Sequence, residues 1–220
     1  MTDKTPHTSI ERIGIDESGK GDYFGPLVIA AVFVDAITQG ELTLMNVRDS
    51  KKISDGRILE MAPDIRMLCP HSIIAIGPQR YNELYAKIRN LNRLLAWGHA
   101  KALETLLEKV SCGRAIADQF GDERLIVNAL QEKGRTIVLE QRPKAETDLA
   151  VAAASILARA EFLLRLKRLS DEIGTTLPKG ASPAVELAGR MIVKKHGEER
   201  LRLIAKLHFK TTQAVLGTIG

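Results

Sequence analysis

The chain has 220 residues and a mass of 24.2 kDa, enough for one large domain or two small ones. Its composition, with 45% hydrophobic and 27% charged residues, is that of a globular protein and excludes a disordered, collagen-like or coiled-coil chain. The longest apolar run, 26–34, is too short to cross a bilayer, and the N-terminus lacks the apolar core of a signal peptide. Because the only cysteines are Cys69 and Cys112, we predict a cytoplasmic protein with reduced thiols.

The charge balance favours a polyanionic partner. Lys and Arg number 32 against 27 Asp and Glu, a net charge of +5, which suits nucleic acid but does not by itself identify it. Aromatic residues are only 4% of the chain, which argues against a protein that binds single strands by stacking their bases. A duplex held by its backbone is therefore the favoured nucleic-acid partner.

The first third of the chain predicts three strands and one helix. Residues 12–16 alternate apolar and polar side chains, as a half-buried strand does, and the apolar run 27–34 predicts a buried strand. Ser54 is expected to cap a short helix that ends at Leu68. Residues 71–77 then predict a third strand.

Helices and strands alternate in the middle of the chain. Asn90 is expected to cap a long amphipathic helix that ends before Gly113. Residues 114–120 predict a fourth strand, Asp122 is expected to cap the helix after it, and residues 135–141 predict a fifth strand.

The last third of the chain is predicted to be helical. One helix opens at Thr147, and another starts at Ser182-Pro183 and ends near Gly197. The whole pattern predicts an α/β fold with a mixed five-stranded sheet flanked by helices. We expect a single domain over 1–220, with a tail over 1–11 and a C-terminal helical extension over about 174–220.

The segment 14–27, GIDESGKGDYFGPL, is the most informative part of the sequence. It is not a dinucleotide fingerprint, because its glycines have the wrong last spacing and precede a strand. It is not a P-loop either, because Lys20 is followed by Gly21 rather than by Ser or Thr. Adjacent acids in a strand point to opposite faces, so Asp16 and Glu17 can reach one centre only if the chain bends at the following glycines. The alternative is an acidic turn exposed to solvent.

Three further acids lie at the ends of predicted elements. Asp118 follows apolar strand residues, where a carboxylate is costly unless it is paired, metal-bound or exposed at the strand end. Glu146 and Asp148 lie at a predicted helix start, where the helix dipole favours acids without any catalytic role. Carboxylates gathered from several elements suit hard cations such as Mg²⁺ or Mn²⁺. Two such ions could clamp the attacking water and the leaving oxygen of a phosphodiester.

Seven segments closely resemble bacterial ribonuclease HIII, a type 2 ribonuclease H, and occur in the family order over most of the chain. They are GIDESGKGDYFGPL, DSKKIS, LNRLLAWGHAKALE, AIADQFG, KAETDLAVAAASILAR, LPKGAS and KLHFKTT. The sister ribonuclease HII has an arginine between the two glycines at the position of Lys20. The resemblance implies the ribonuclease H-like fold and endonucleolytic cleavage of RNA in RNA/DNA hybrids, leaving 3′-hydroxyl and 5′-phosphate ends.

The resemblance also implies a set of site residues. The catalytic, metal-binding acids would be Asp16, Glu17, Asp118 and Glu146, holding Mg²⁺ or Mn²⁺, and two ions are expected. Ribonuclease HII has Asp as the fourth acid, so Asp148 is the reserve candidate. The substrate-binding residues would be Gly19, Lys20, Gly21, Ser50 and Lys51. His99 and His208 are interpreted as structural.

Two departures from the family pattern lead to further expectations. Ribonuclease HIII usually carries an N-terminal substrate-binding domain, which we expect this chain to lack, so that substrate binding would depend more on basic residues. These include, in the C-terminal part, Lys194, Lys195, Arg200, Arg202, Lys206 and Lys210. The LPKGAS region also lacks the tyrosine with which ribonuclease HII recognises a single ribonucleotide, so stretches of ribonucleotides are the expected substrate.

Two alternatives stay open at this point. One is a ribonuclease HII-like enzyme that incises at single ribonucleotides in DNA. The other is a non-catalytic nucleic-acid-binding module. No membrane association and no obligate protein partner are expected.

Overall fold

The computed structural model describes residues 10–119, 124–130 and 134–217. Its five strands are β1 Arg12–Ser18, β2 Leu27–Val34, β3 His71–Ile76, β4 Arg114–Asp118 and β5 Val138–Arg142. Its helices in the first half of the chain are α1 Ala36–Leu44, α2 Asp55–Leu68, α3 Pro78–Ile88 and α4 Leu91–Leu107. The remaining helices are α5 Arg124–Ala129, α6 Leu149–Ile173, α7 Pro183–His196, α8 Glu199–Ile204 and α9 Lys210–Leu216.

The strands form one mixed sheet, which confirms the predicted fold class. Their order is β3-β2-β1-β4-β5. Strands β1, β2 and β3 are antiparallel neighbours, whereas β4 runs parallel to β1 and β5 runs parallel to β4. The central strands β1 and β4 therefore end on the same side of the sheet, although 100 residues separate them along the chain.

Each face of the sheet has its own helical cover. Alternate residues of β1 and β2 point to opposite faces, so Ile13 and Ile15 pack under α4 while Val28 and Ala30 pack under α6. Helix α6 lies especially close to β1, because a Cβ atom at Gly14 would stand 2.1 Å from the backbone of Ala150. Only glycine allows this approach, which brings the N-terminus of α6 to the middle of the sheet.

The predicted element boundaries differ from the structure in several places. Strand β1 continues to Ser18, β4 ends at Asp118, and β5 starts at Val138 because residues 134–136 form a 3₁₀ turn. Helix α6 begins at Leu149, with Asp148 as its N-cap. Helices α1 and α3 were not predicted. The predicted cap at Asp122 lies outside the described residues.

The C-terminal extension packs back onto the glycine-rich segment. A β-bridge joins Phe24 to Ala205, and the Gly25 amide donates to the Ile204 carbonyl at 2.9 Å. The Lys206 side chain is fully buried at this contact. Among the helices that the structure describes, none is long and apolar enough to cross a membrane.

Candidate active site

A cavity of about 720 Å³ opens at the end of the sheet where β1 and β4 terminate. Eight of the nine predicted site residues line it. They are Asp16, Glu17, Gly19, Lys20, Gly21, Ser50, Lys51 and Asp118. The same cavity is lined by Ser18, Asp22, Ile53, Asp55, Arg159 and Lys179.

Asp16 and Glu17 lie on opposite faces of the sheet and still reach the same cavity. Strand β1 is regular through both residues, since Asp16 pairs with Ala30 and Glu17 with Ile29 of β2. Asp16 therefore points toward the α6 side and Glu17 toward the α4 side. The expected bend between them is not needed, because the cavity lies over the end of the sheet and is reached from both faces.

Asp118 comes next to Asp16 through the parallel pairing of β1 and β4. Ile15 pairs with Ala117, so the following residues, Asp16 and Asp118, lie side by side on the same face. The charge of Asp118 contributes to raising the pKa of Asp16. The Ala145 amide approaches the Asp118 carboxylate at 3.4 Å, which ties β4 to the 3₁₀ turn 145–147.

Burial and repulsion make Asp16 resist ionisation. Burial is the main reason that its pKa lies well above the ordinary value, and the neighbouring charges of Glu17 and Asp118 raise it further. The Glu17 amide and the charge of Lys51 act in the opposite direction. A cation bound beside Asp16 would offset this repulsion, so the electrostatics of the cavity favour a positive ligand.

Glu17 is held as a carboxylate by two basic side chains. Its Oε2 lies 3.0 Å from Nε2 of His99, and its Oε1 lies 3.4 Å from Nζ of Lys20. Burial alone would raise the pKa of Glu17, but the hydrogen bonds and charges of His99 and Lys20 outweigh it and lower the pKa to about 2. The interpretation of His99 as structural did not anticipate this contact, because 82 residues separate the pair.

The glycine turn has two very different glycines. Gly19 has φ +88, and a Cβ atom there would stand 2.1 Å from the Pro26 carbonyl oxygen and 2.9 Å from the Phe162 ring. Gly21 has open space around it, and the Lys20 side chain between them is 40% exposed. Gly19 therefore shapes the turn, while Gly21 and Lys20 present the backbone and a charge to the cavity.

Ser50 and Lys51 occupy a 3₁₀ helix beside Asp16. The Asp49 carboxylate caps this helix by accepting from the Lys51 amide at 3.0 Å. The Ser50 amide donates to Oγ of Ser155 at 3.0 Å, which fastens the segment to α6. The Ser155 hydroxyl therefore holds the 3₁₀ helix against α6.

The two candidates for the fourth acid occupy different surroundings. Asp148 caps α6 by accepting from the Ala150 amide at 2.8 Å, and it pairs with Nε of Arg12 at 2.7 Å. Both roles stabilise the fold and use both carboxylate oxygens. Glu146 is half-buried in the 3₁₀ turn next to Ala145 and does not itself line the cavity.

Six cavity residues were not predicted as site residues, and three of them, Asp55, Arg159 and Lys179, form one charged group. Asp55 forms ion pairs with Lys179 and, at 3.2 Å, with Arg159. Although burial opposes it, these two cations lower the pKa of Asp55. The Arg159 guanidinium also lies 5.3 Å from the centre of the Phe162 ring. Arg159 and Lys179 lie in KAETDLAVAAASILAR and LPKGAS, two of the family-like segments, and Asp55 directly follows DSKKIS, which was the available sequence signal.

The prediction that Lys206 contributes to substrate binding is wrong. Its side chain is completely buried, and Nζ donates to the carbonyls of Gly25 at 2.7 Å and Pro26 at 3.4 Å. Burial lowers its pKa to about 7. The other basic residues named in this region keep more exposure, and Lys194, Lys195, Arg202 and Lys210 are exposed.

The cavity fits a divalent cation by its donor set. Five carboxylates line it, among them the predicted ligands Asp16, Glu17 and Asp118, and oxygen ligands are those that Mg²⁺ and Mn²⁺ prefer. Within the described ranges, no three acidic, histidine or cysteine side chains already form a metal-binding cluster. The fit therefore depends on the oxygen donors and on the repulsion at Asp16 rather than on a preformed cage.

Comparison with known proteins gives one consistent family. The Ribonuclease HII family model matches residues 13–212. Ribonuclease HIII of Protochlamydia amoebophila is 51% identical over 218 residues, covering 99% of this chain and 71% of that protein. Ribonuclease HIII of Chlamydia pneumoniae is 48% identical over 203 residues, covering 91% of this chain and 68% of that protein.

Solved structures agree with the sequence relatives. The crystal structure of Bst-RNase HIII in complex with Mn²⁺ superposes with a TM-score of 0.88 at 35% identity, covering 95% of this chain and 70% of that one. The crystal structure of Aquifex aeolicus RNase H3 gives a TM-score of 0.75 at 31% identity, covering 92% of this chain and 73% of that one. The ribonuclease H-like fold is thus confirmed, and the chain belongs to the ribonuclease HII family, with ribonuclease HIII proteins among its relatives.

Proposed function

We propose that the carboxylate cavity cleaves the RNA strand of RNA/DNA hybrids as an endonuclease and leaves 3′-hydroxyl and 5′-phosphate ends. The observation that carries the proposal is the register of β1 and β4, which gathers Asp16, Glu17 and Asp118 around one cavity beside the Gly19–Lys20–Gly21 turn. Membership of the ribonuclease HII family and similarity to ribonuclease HIII proteins support the same activity.

The acids would hold the divalent ions. Asp16, Glu17 and Asp118 would bind them from the cavity wall, and Glu146 would complete the set from the adjacent 3₁₀ turn. When bound, Mg²⁺ or Mn²⁺ lowers the pKa of a water nucleophile and stabilises charge on the phosphate, with two ions acting on the attacking and leaving oxygens. The similar Bst-RNase HIII was solved with Mn²⁺, which supports this class of ion.

The residues around the acids would position the hybrid. The open backbone of Gly21 and the exposed ammonium of Lys20 can contact a phosphate or a 2′-hydroxyl, the group that distinguishes RNA from DNA. Lys51 adds a second positive charge to the cavity, close enough to act on Asp16, and could contact a phosphate of the substrate. Positioning and charge stabilisation then supply the rate enhancement without a covalent intermediate.

The decisive experiment compares labelled duplexes in Mg²⁺, Mn²⁺ or EDTA. We expect metal-dependent cleavage of RNA/DNA and none of DNA/DNA. Hybrid binding without cleavage in either metal would instead identify a non-catalytic binding module and overturn the proposal.

A second duplex tests the preferred substrate. We propose that stretches of ribonucleotides are cut in preference to a single one, because residues 177–182 contain no tyrosine. Efficient incision of a duplex with one ribonucleotide would favour the ribonuclease HII-like alternative. We also propose that the protein acts in the cytoplasm with reduced thiols, since Cys69 and Cys112 are both free.

A further inference from the structure

We propose that His99 is a positioning residue that fixes one oxygen of Glu17 and thereby sets the affinity of the cavity for a divalent ion. The His99 side chain is 0% exposed, and its Nε2 lies 3.0 Å from Oε2 of Glu17. A carboxylate can only accept, so Nε2 carries the proton and donates. This role rests on the proposed function, in which Glu17 is a metal ligand.

Helix α4 is built to bring His99 to this place. A Cβ atom at Gly98 would stand 2.6 Å from Cδ1 of Ile29, so glycine lets the helix sit directly on β2. Ile29 is in turn the cross-strand partner of Glu17. The close contact at Gly98 and the hydrogen bond at His99 therefore act on the same cross-strand pair.

The two oxygens of Glu17 have different partners. Oε2 contacts the buried imidazole of His99, whereas Oε1 faces the ammonium of Lys20, whose side chain is 40% exposed. A hydrogen bond from a rigid, buried donor restrains the carboxylate more than an exposed lysine does, because exposed ion pairs are weak and screened. Oε1 is therefore the oxygen that a cation can take, with Oε2 already ordered.

A fixed carboxylate binds a cation more tightly than a mobile one. Partners that hydrogen-bond to metal ligands typically contribute about 10–100-fold to metal affinity. Removal of the His99 donor should therefore weaken metal binding far more than it weakens cleavage at saturating metal. A purely structural role would lower stability and leave the metal dependence unchanged.

The test uses His99→Leu and His99→Gln. It measures the dissociation constant for Mn²⁺ by calorimetry and the Mg²⁺ concentration that gives half-maximal cleavage. For His99→Leu, both quantities should rise about 10–100-fold, with cleavage at saturating Mg²⁺ changed much less. His99→Gln, which retains an N–H donor, should recover part of the affinity. The matched control is His208→Leu, at a half-buried histidine that stacks on Tyr85 outside the cavity, and its metal affinity should stay as in the wild type.

A measurement on the unchanged protein covers the case in which His99→Leu does not fold. In ¹⁵N-histidine NMR spectra, Mg²⁺ should shift the His99 Nε2 resonance, and Glu17→Gln should abolish the shift. A folded His99→Leu with wild-type Mn²⁺ affinity, or an unshifted His99 signal at saturating Mg²⁺, would overturn the positioning role. Absence of metal-dependent hybrid cleavage in the wild type would instead overturn the proposed function.

Discussion

Two cavities of nearly equal volume, about 720 and 730 Å³, show how little size says about function. The first, at the ends of β1 and β4, is lined by four basic side chains and by five carboxylates, Asp16 and Glu17 among them. The second lies between α3 and α8 and is lined by residues such as Tyr85, Leu203 and His208. Burial and the neighbouring carboxylates raise the pKa of Asp16 in the first cavity, and a bound cation would offset that cost, so we propose the first cavity as the site.

The largest expected effect comes from amide substitutions in the two cavities. Asp16→Asn should reduce hybrid cleavage at least about a hundredfold, because loss of a metal ligand costs several kcal/mol of transition-state stabilisation. Glu83→Gln, in the second cavity, should leave cleavage near the wild-type rate. Rates under single-turnover conditions provide the measurement.

A stability measurement shows whether Asp16→Asn loses cleavage through the site itself or through unfolding. Burial raises the pKa of Asp16, which means that the charged carboxylate is unfavourable in the folded chain. A neutral asparagine should therefore leave the free energy of unfolding unchanged or higher. Full cleavage by Asp16→Asn, or an equal loss in Glu83→Gln, would contradict the distinction between the cavities.

The glycine turn offers a matched pair within the first cavity. Gly19→Ala should lower the free energy of unfolding by about 3 kcal/mol or more, because it combines left-handed backbone strain with a clash against the Pro26 carbonyl. Gly21→Ala meets no atom and should change stability by less than about 0.5 kcal/mol. Urea denaturation of both variants measures the difference, and equal stabilities would show that the turn is not shaped by Gly19.

The fourth acid is distinguished by separating activity from stability. Asp148→Asn should lower the free energy of unfolding by about 2 kcal/mol through loss of its ion pair with Arg12, while hybrid cleavage stays largely intact. Glu146→Gln should instead reduce hybrid cleavage and leave the free energy of unfolding largely unchanged. Cleavage rates and thermal unfolding of both variants identify the fourth acid. An Asp148→Asn variant that is stable but inactive would assign the fourth metal-binding position to Asp148.

Lys206 is buried against the carbonyls of Gly25 and Pro26 and should give a pH-dependent stability. Its pKa is about 7 in the folded chain against an ordinary value of 10.5, so the unfolded chain binds the extra proton between those values. The free energy of unfolding should therefore increase by about 2 kcal/mol from about pH 7 to about pH 9. Denaturation of Lys206→Met at each pH should lack this increase, and an identical pH profile would contradict the buried ammonium.

The smallest expected effect is in the salt dependence of hybrid binding. Lys51→Ala should reduce the slope of log affinity against log salt by about 0.9, because one phosphate contact is lost. Fluorescence anisotropy at several salt concentrations gives the slope. If Arg202→Ala reduces the slope by the same amount, the duplex also contacts the second cavity. If neither variant changes the slope, Lys51 does not contact the duplex.

Local patterns account for the parts of this molecule that the sequence predicts well. The apolar run of β2, the caps Ser54 and Asn90, and the helix that starts at Pro183 all depend on neighbours along the chain. The turn 145–147 and helices α1 and α3 were missed because they are short, with three, nine and eleven residues. The glycine segment stood out because its residue types are unusual wherever they lie, and the structure places residues 16–22 along the first cavity.

By itself, the sequence determined the five strands, the longer helices and the unusual residue types of segment 14–27. Only the tertiary structure decided which of these groups meet. The parallel pairing of β1 with β4 places Asp118 beside Asp16, the close seating of α4 brings His99 to Glu17, and the returning C-terminal segment buries Lys206. These contacts join residues 82 to 181 positions apart, and their geometry follows from sheet register and helix packing, which local sequence patterns do not specify.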